Sequence, residues 1–245
     1  MDTPLLVGGL LCAVMSGMAK TGLPGMGILV VPIMAHVWGD AKGSVGALLP
    51  ILVASDILSV LIFRRNADWR SLLRITPWVA GGLGLGYAAL RAVGPEIFRP
   101  FLGGLILLLL GLELLRARLS WDNLPHHPVF VAFIGVATGF STMVGNVAGP
   151  VMSIYLLCQG MNKERFMGSV GWFFLIINLS KVPFMAQLGM ITRESLAFDL
   201  RMVPGIVAGA LIGRWLLSRM SMAVFTRLVQ ALALVSGVWL VIKPH

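Results

Sequence analysis

Two stretches of this chain put hydrogen-bond donors and glycines where an apolar run would otherwise continue. The first is Lys20-Thr-Gly-Leu-Pro-Gly-Met-Gly-Ile-Leu-Val-Val-Pro32. The second is Gly139-Phe-Ser-Thr-Met-Val-Gly-Asn-Val-Ala-Gly-Pro150, inside a segment with no charged side chain from residue 128 to 162. Backbone that leaves the helix at membrane depth has unpaired N–H and C=O groups, and it persists only where protein buries it or a polar cavity accepts it. A helix that restarts there aims free N–H groups and a partial positive charge beyond its first turn, which suits an anion. Pro150 fits the first position of such a half-helix, having no N–H to lose and a helical φ already set. Pro24, or the stretch from Gly25 to Gly27, plays that part in the first break. Gly22, Gly145 and Gly149 let a ligand approach backbone, while Lys20, Thr21, Ser141, Thr142 and Asn146 add side-chain donors. The bland reading of each break is a kink that fits helices around one another. Two breaks in matching positions, both with donors, favour a binding site.

Two more charges lie within apolar runs, Asp56 and Lys181. A charge at the bilayer centre costs at least about 2.5–3.5 kcal/mol, so such residues face the protein interior. Lys181, with Asn178 beside it, joins the expected substrate-binding set, and Asp56 is the candidate for carrying a proton. The structural alternative is a salt bridge that locks two parts of the protein together. The chain has no His-Glu-x-x-His, no Ser/His couple within an apolar run and no G-x-x-x-x-G-K-[ST] loop, so it lacks the chemical centre of an enzyme or an ATPase. An assembly scaffold would need no buried charge. Cys12 and Cys158 stand alone, and His36, His126, His127 and His245 show no ligand spacing; no metal and no cofactor are expected.

The elements that position these residues are long apolar segments. A crossing takes about 20 apolar residues. Charges and turn signals cut the runs at 5–38, 43–63, 75–90, 101–115, 129–158, 168–188, 202–217 and 228–242. The first and fifth are too long for one simple span and contain the breaks. With 58% hydrophobic and 12% charged residues and a mean hydropathy of +0.91, the chain is far from a soluble composition. The fold class expected is an all-α polytopic membrane protein of about eight transmembrane segments. Continuous apolar runs, in place of short alternating ones, exclude a membrane barrel. The start, Met1-Asp2-Thr3-Pro4, lacks a basic n-region, so the first run reads as a retained span. The net charge of +9 lies mainly in short loops, as lipid headgroups favour, and implies no nucleic acid.

The chain also repeats itself. Gly43-Ser-Val-Gly46 recurs as Gly168-Ser-Val-Gly171, an offset of 125 residues. Gly17 and Gly27 answer Gly139 and Gly149 at 122, and Pro77, Gly82, Gly86 and Phe98 answer Pro204, Gly209, Gly213 and Phe225 at 127. Slowly drifting offsets fit two four-segment repeats, 1–119 and 128–245, joined by a loop at 120–127, with the first segment of each repeat broken. The offset of 125 makes Asp56 and Lys181 equivalent positions. Broken segments in corresponding places of two halves point to a transporter's substrate site. Gly205, Gly209 and Gly213, echoed by Gly82 and Gly86, read as close helix packing and carry no site role.

The repeated break followed by an apolar run, Gly22-Leu-Pro-Gly-Met-Gly-Ile-Leu-Val-Val-Pro32 and Gly145-Asn-Val-Ala-Gly-Pro-Val-Met-Ser-Ile-Tyr-Leu-Leu157, resembles the TauE/SafE sulfite exporter family, also called the toluene sulfonate uptake permeases. The order of the following spans and the basic loop Arg64-Arg-Asn-Ala-Asp-Trp69 agree over nearly the whole chain. It differs from the family's usual run of consecutive glycines in having Leu23-Pro24 and Asn146-Val147-Ala148 in the breaks. The resemblance implies a multi-pass protein of the cell inner membrane, a secondary carrier that exports small sulfur-containing anions such as sulfite or organosulfonates. A carboxylate or another oxyanion is the alternative substrate. The partners expected are a small anionic substrate and membrane lipid, with room for a homodimer.

Overall fold

The computed structural model describes residues 3–23, 26–92 and 127–221, together with 223, 224, 227 and 231. The segments expected at 101–115 and 228–242, and the joining loop up to residue 126, lie outside the described residues. Every element described is helical: α1 (Thr3–Thr21), α2 (Met26–Trp38), α3 (Ala41–Phe63), α4 (Trp69–Ala92), α5 (Pro128–Gly145), α6 (Gly149–Cys158), α7 (Lys163–Gln187) and α8 (Arg193–Arg219).

Local sequence explains where these helices start. Asp40 accepts from the N–H groups of Lys42 (3.0 Å) and Gly43 (2.7 Å) at the head of α3, and Asn162 accepts from Arg165 N–H (2.8 Å) at the head of α7. Thr192 and Ser195 form a reciprocal capping box on α8. Pro128 opens α5 without sacrificing a hydrogen bond. Prolines 32, 50, 77, 183 and 204 lie within helices, where neighbouring helices and polar side chains can re-satisfy the freed carbonyls.

Among the described residues, four helices are long and apolar enough to cross a membrane: Lys42–Phe63, Pro128–Gly145, Lys163–Gln187 and Arg193–Arg219. Helix α4, which contains the span expected at 75–90, has 24 residues and is long enough at about 36 Å, but Arg70 and Arg74 in its first turns make it less apolar. Helices α2 and α6, of 13 and 10 residues, reach only about 20 and 15 Å, short of the roughly 30 Å hydrocarbon core. The run expected at 5–38 holds α1 and α2, and the run expected at 129–158 holds α5 and α6.

Helix α1 packs on α8, α4 on α5 and α3 on α7. Two apolar cores result. One is built mainly from α1, α2, α3 and α8, and includes Cys12, Met34, Ile51, Phe198 and Ile206. The other is built mainly from α4, α5, α6 and α7, with Ile75, Ile134, Tyr155 and Phe173. Each core therefore takes helices from both halves of the chain. Backbones approach where glycines permit it: a Cβ on Gly17 would strike the carbonyl of Ile206, on Gly209 that of Val14, on Gly82 that of Val136 and on Gly139 that of Val79. Leu10, Leu11, Leu61, Phe133, Leu200 and Leu211 are exposed on the outside, as lipid contact requires.

Candidate functional site

Lys20, Asp56, Asn178 and Lys181, four of the positions that the sequence singled out for charge or polarity, meet between the two cores. Lys20 is in the last turn of α1, and Ser59 Oγ of α3 donates to its carbonyl at 2.6 Å, fixing that helix end against α3. The Lys20 ammonium lies 2.7 Å from Asp56 Oδ1 of α3 and 4.0 Å from the ring centroid of Phe174 on α7. The aromatic face is a favourable seat for a cation in a dry site. Phe174, Asn178 and Lys181 are spaced four and three residues apart, so they share one face of α7.

Asn178 connects the two ends of this cluster. Its Nδ2 donates to Asp56 Oδ2 at 2.7 Å, and its Oδ1 accepts from Lys181 Nζ at 3.2 Å. Lys181 is fully buried and also donates to Thr142 carbonyl (2.8 Å), Thr142 Oγ1 (3.1 Å) and Asn146 Oδ1 (2.5 Å). These groups are at the C-terminal end of α5, where the negative end of the helix dipole attracts a cation. Asn146 adopts the left-handed conformation that ends α5 (φ 57°), and its Nδ2 donates to Val45 carbonyl of α3 at 2.9 Å. Asp56 therefore forms its ion pair with Lys20 and is joined to Lys181 by hydrogen bonds through Asn178.

A cavity of about 40 Å³ opens beside this network. Its lining is mixed, with polar Lys20, Thr142, Asn146, Ser153 and Asn178 and apolar Ala19, Leu48, Leu52, Val170 and Phe174. Gly27 of α2 and Gly149 of α6 bring the starts of both short helices to it. The space suits roughly three water-sized groups, the scale of a small oxyanion.

Of the residues expected from the sequence, Lys20, Gly27, Thr142, Asn146, Gly149 and Asn178 line this cavity, and Asp56 and Lys181 stand directly behind it. Thr21 faces elsewhere: its hydroxyl donates to Gly17 carbonyl (3.0 Å) and Ala210 carbonyl (2.8 Å), fastening α1 to α8. Gly22 serves the same contact, since a Cβ there would meet the backbone of Gly213. Ser141 Oγ donates to Thr138 carbonyl (3.2 Å), and Gly145 is buried at the end of α5; neither lines the cavity. Helix α6 begins at Gly149, so Pro150 is its second residue. Pro24 and Gly25 lie outside the described residues. Sequence reasoning missed Ser153 and Phe174. Each was findable by helical spacing, Ser153 four residues after Gly149 and Phe174 four before Asn178.

The site holds two ammonium groups and one carboxylate, with amide and hydroxyl donors around them. It can bind an anion and move a proton. Residues 5–240 match the family model described as Sulfite exporter TauE/SafE. No curated protein and no solved structure matches the chain. The chain belongs to the TauE/SafE sulfite exporter family, and that membership makes it a membrane transporter.

Proposed function

We propose that this member of the TauE/SafE family is a secondary transporter of the cell inner membrane that exports small sulfur-containing anions, such as sulfite or organosulfonates, with another small oxyanion or a carboxylate as the alternative cargo. The observation that carries this reading is the contrast between the two lysines. Lys181 has its ammonium protons occupied by carbonyl, hydroxyl and amide oxygens and does not line the cavity. Lys20 lines the cavity and meets only Asp56 and the Phe174 ring among the described residues. Its unspent donors, with Asn146, Ser153 and the starts of α2 and α6, form the anion seat. The small volume favours a compact anion over an arylsulfonate.

Alternating access follows from movement of the two cores about the α3–α7 contact, which the site straddles. The underlying architecture is two repeats, 1–119 and 128–245, each with its first segment broken. This is supported by paired close contacts: Gly17 meets Ile206 as Gly139 meets Val79, and Gly209 meets Val14 as Gly82 meets Val136, with each partner displaced by the offset found in the sequence. Asp56 is the proton carrier.

The test is a thermal-shift series on purified protein with sulfite, thiosulfate, sulfoacetate, taurine and simple carboxylates. A sulfur oxyanion is expected to raise the unfolding temperature of the wild type and to have no effect on Lys20→Ala. A ligand effect that survives intact in Lys20→Ala would remove Lys20 from the site.

A further inference from the structure

The charged groups at the site do not balance. Among the described residues, Lys20 and Lys181 bring two positive charges and Asp56 one negative charge to this cluster; Asp199 of α8, also buried, is not part of it. Asp56 is fully buried, and of the helices packed on α3 only α1, through Lys20, and α7, through Lys181 and Asn178, bring groups that act on it; no titratable group of α2 or α8 does so. Buried charge persists where it is compensated. A single negative charge entering the cavity completes the balance with Asp56 ionised. A doubly charged anion overshoots by one.

We propose that Lys20 is shared between Asp56 and the bound anion, so that a dianion binds together with one proton on Asp56 and a monoanion binds without one. This rests on the anion-site reading given above. The step needs no co-reactant beyond water. A proton from solution adds to Asp56 Oδ1, the oxygen that faces the Lys20 ammonium, and yields the neutral acid. The ammonium keeps all its protons and turns from Asp56 to the anion, while Oδ2 retains the hydrogen bond from Asn178 Nδ2. Lys181 stays where its acceptors hold it, so the site charge after binding is zero in both cases. The anion's own charge, and not its size, then decides how many protons travel with it.

The experiment is titration calorimetry of the purified full chain in buffers of different ionisation enthalpy, near neutral pH. Sulfate and thiosulfate serve as dianions and methanesulfonate as the monoanion. The expected uptake is about one proton per dianion and about none per methanesulfonate, with dianion Kd tightening as pH falls and methanesulfonate Kd insensitive to pH. In Asp56→Asn the dianions should bind without proton uptake, and their pH dependence should disappear. Equal uptake for both charge classes, uptake that persists in Asp56→Asn, or binding of methanesulfonate with no dianion bound at any pH overturns the proposal while leaving the anion site in place. If Asp56→Asn does not fold, the wild-type comparison decides alone. Failure of every anion, sulfite included, to bind the wild type overturns the anion site and the proposal with it.

Discussion

The ammonium of Lys181 meets four oxygens with three protons, and one of those oxygens belongs to the amide of Asn178, whose other end holds Asp56. Only a group that donates on one side and accepts on the other can stand between a carboxylate and an ammonium, and an amide of this length does so. Replacing Asn178 with Leu keeps the bulk and leaves a buried donor and acceptor short of a partner, at about 1–3 kcal/mol. Lys181→Met should cost a similar amount. Because both residues serve one network, the double variant is expected to lose less than the sum, with a coupling energy of about 0.5–3 kcal/mol in thermal or denaturant unfolding. Strict additivity would mean that the two act separately. The sequence made the charges legible, because Lys20, Asp56 and Lys181 interrupt apolar runs. It did not make their pairing legible. Equivalent positions in a repeat suggested Asp56 opposite Lys181, but an ion pair is decided by which helix ends meet, and α1 ends beside α3.

At the scale of helices, the glycines divide into two kinds that composition alone cannot separate. Gly82 and Gly86 face α5, and Gly209 and Gly213 face α1, with backbone or side-chain atoms where a Cβ would go. Gly81 and Gly84, on the other side of α4, have nothing within 4 Å. Gly82→Val and Gly209→Val should therefore destabilise the protein by about 1–3 kcal/mol through overpacking. Gly81→Ala and Gly84→Ala should be neutral or stabilise it by about 0.4–1 kcal/mol, because Ala restricts the unfolded chain more than Gly does. Detergent-solubilised unfolding temperatures check both. The ridge Gly205, Gly209 and Gly213 was readable from spacing. The fastening roles of Thr21 and Gly22 were not, because a hydroxyl and a glycine beside a break serve a ligand or a neighbouring helix equally well until the neighbour is known.

For the molecule as a whole, the cavity lies between the two cores, and α3 and α7 form the contact across which those cores would move. Ser59 of α3 and Gly171 of α7 are close enough to test this, since a Cβ on Gly171 would lie 3.3 Å from that of Ser59. In a background with Cys12 and Cys158 replaced by Ser, Ser59→Cys with Gly171→Cys should form a disulfide on oxidation. Sulfite transport in vesicles should stop when the bridge forms and return on reduction; unimpaired transport in the cross-linked protein would mean that α3 and α7 do not separate during the cycle. The helical class was legible from hydropathy. The interleaving of the halves was not, because it depends on which glycine faces meet between helices far apart in the sequence. The distribution of polar partners also bears on how the protein is made. Lys20 and Asp56 both emerge early and can neutralise each other before α7 exists, and Lys181 finds Thr142 and Asn146 already synthesised ahead of it. Each nascent half can thus enter the bilayer with its charge already dressed. The Asn178 bond to Asp56 is then the late stitch, joining a residue of α7 to one of α3.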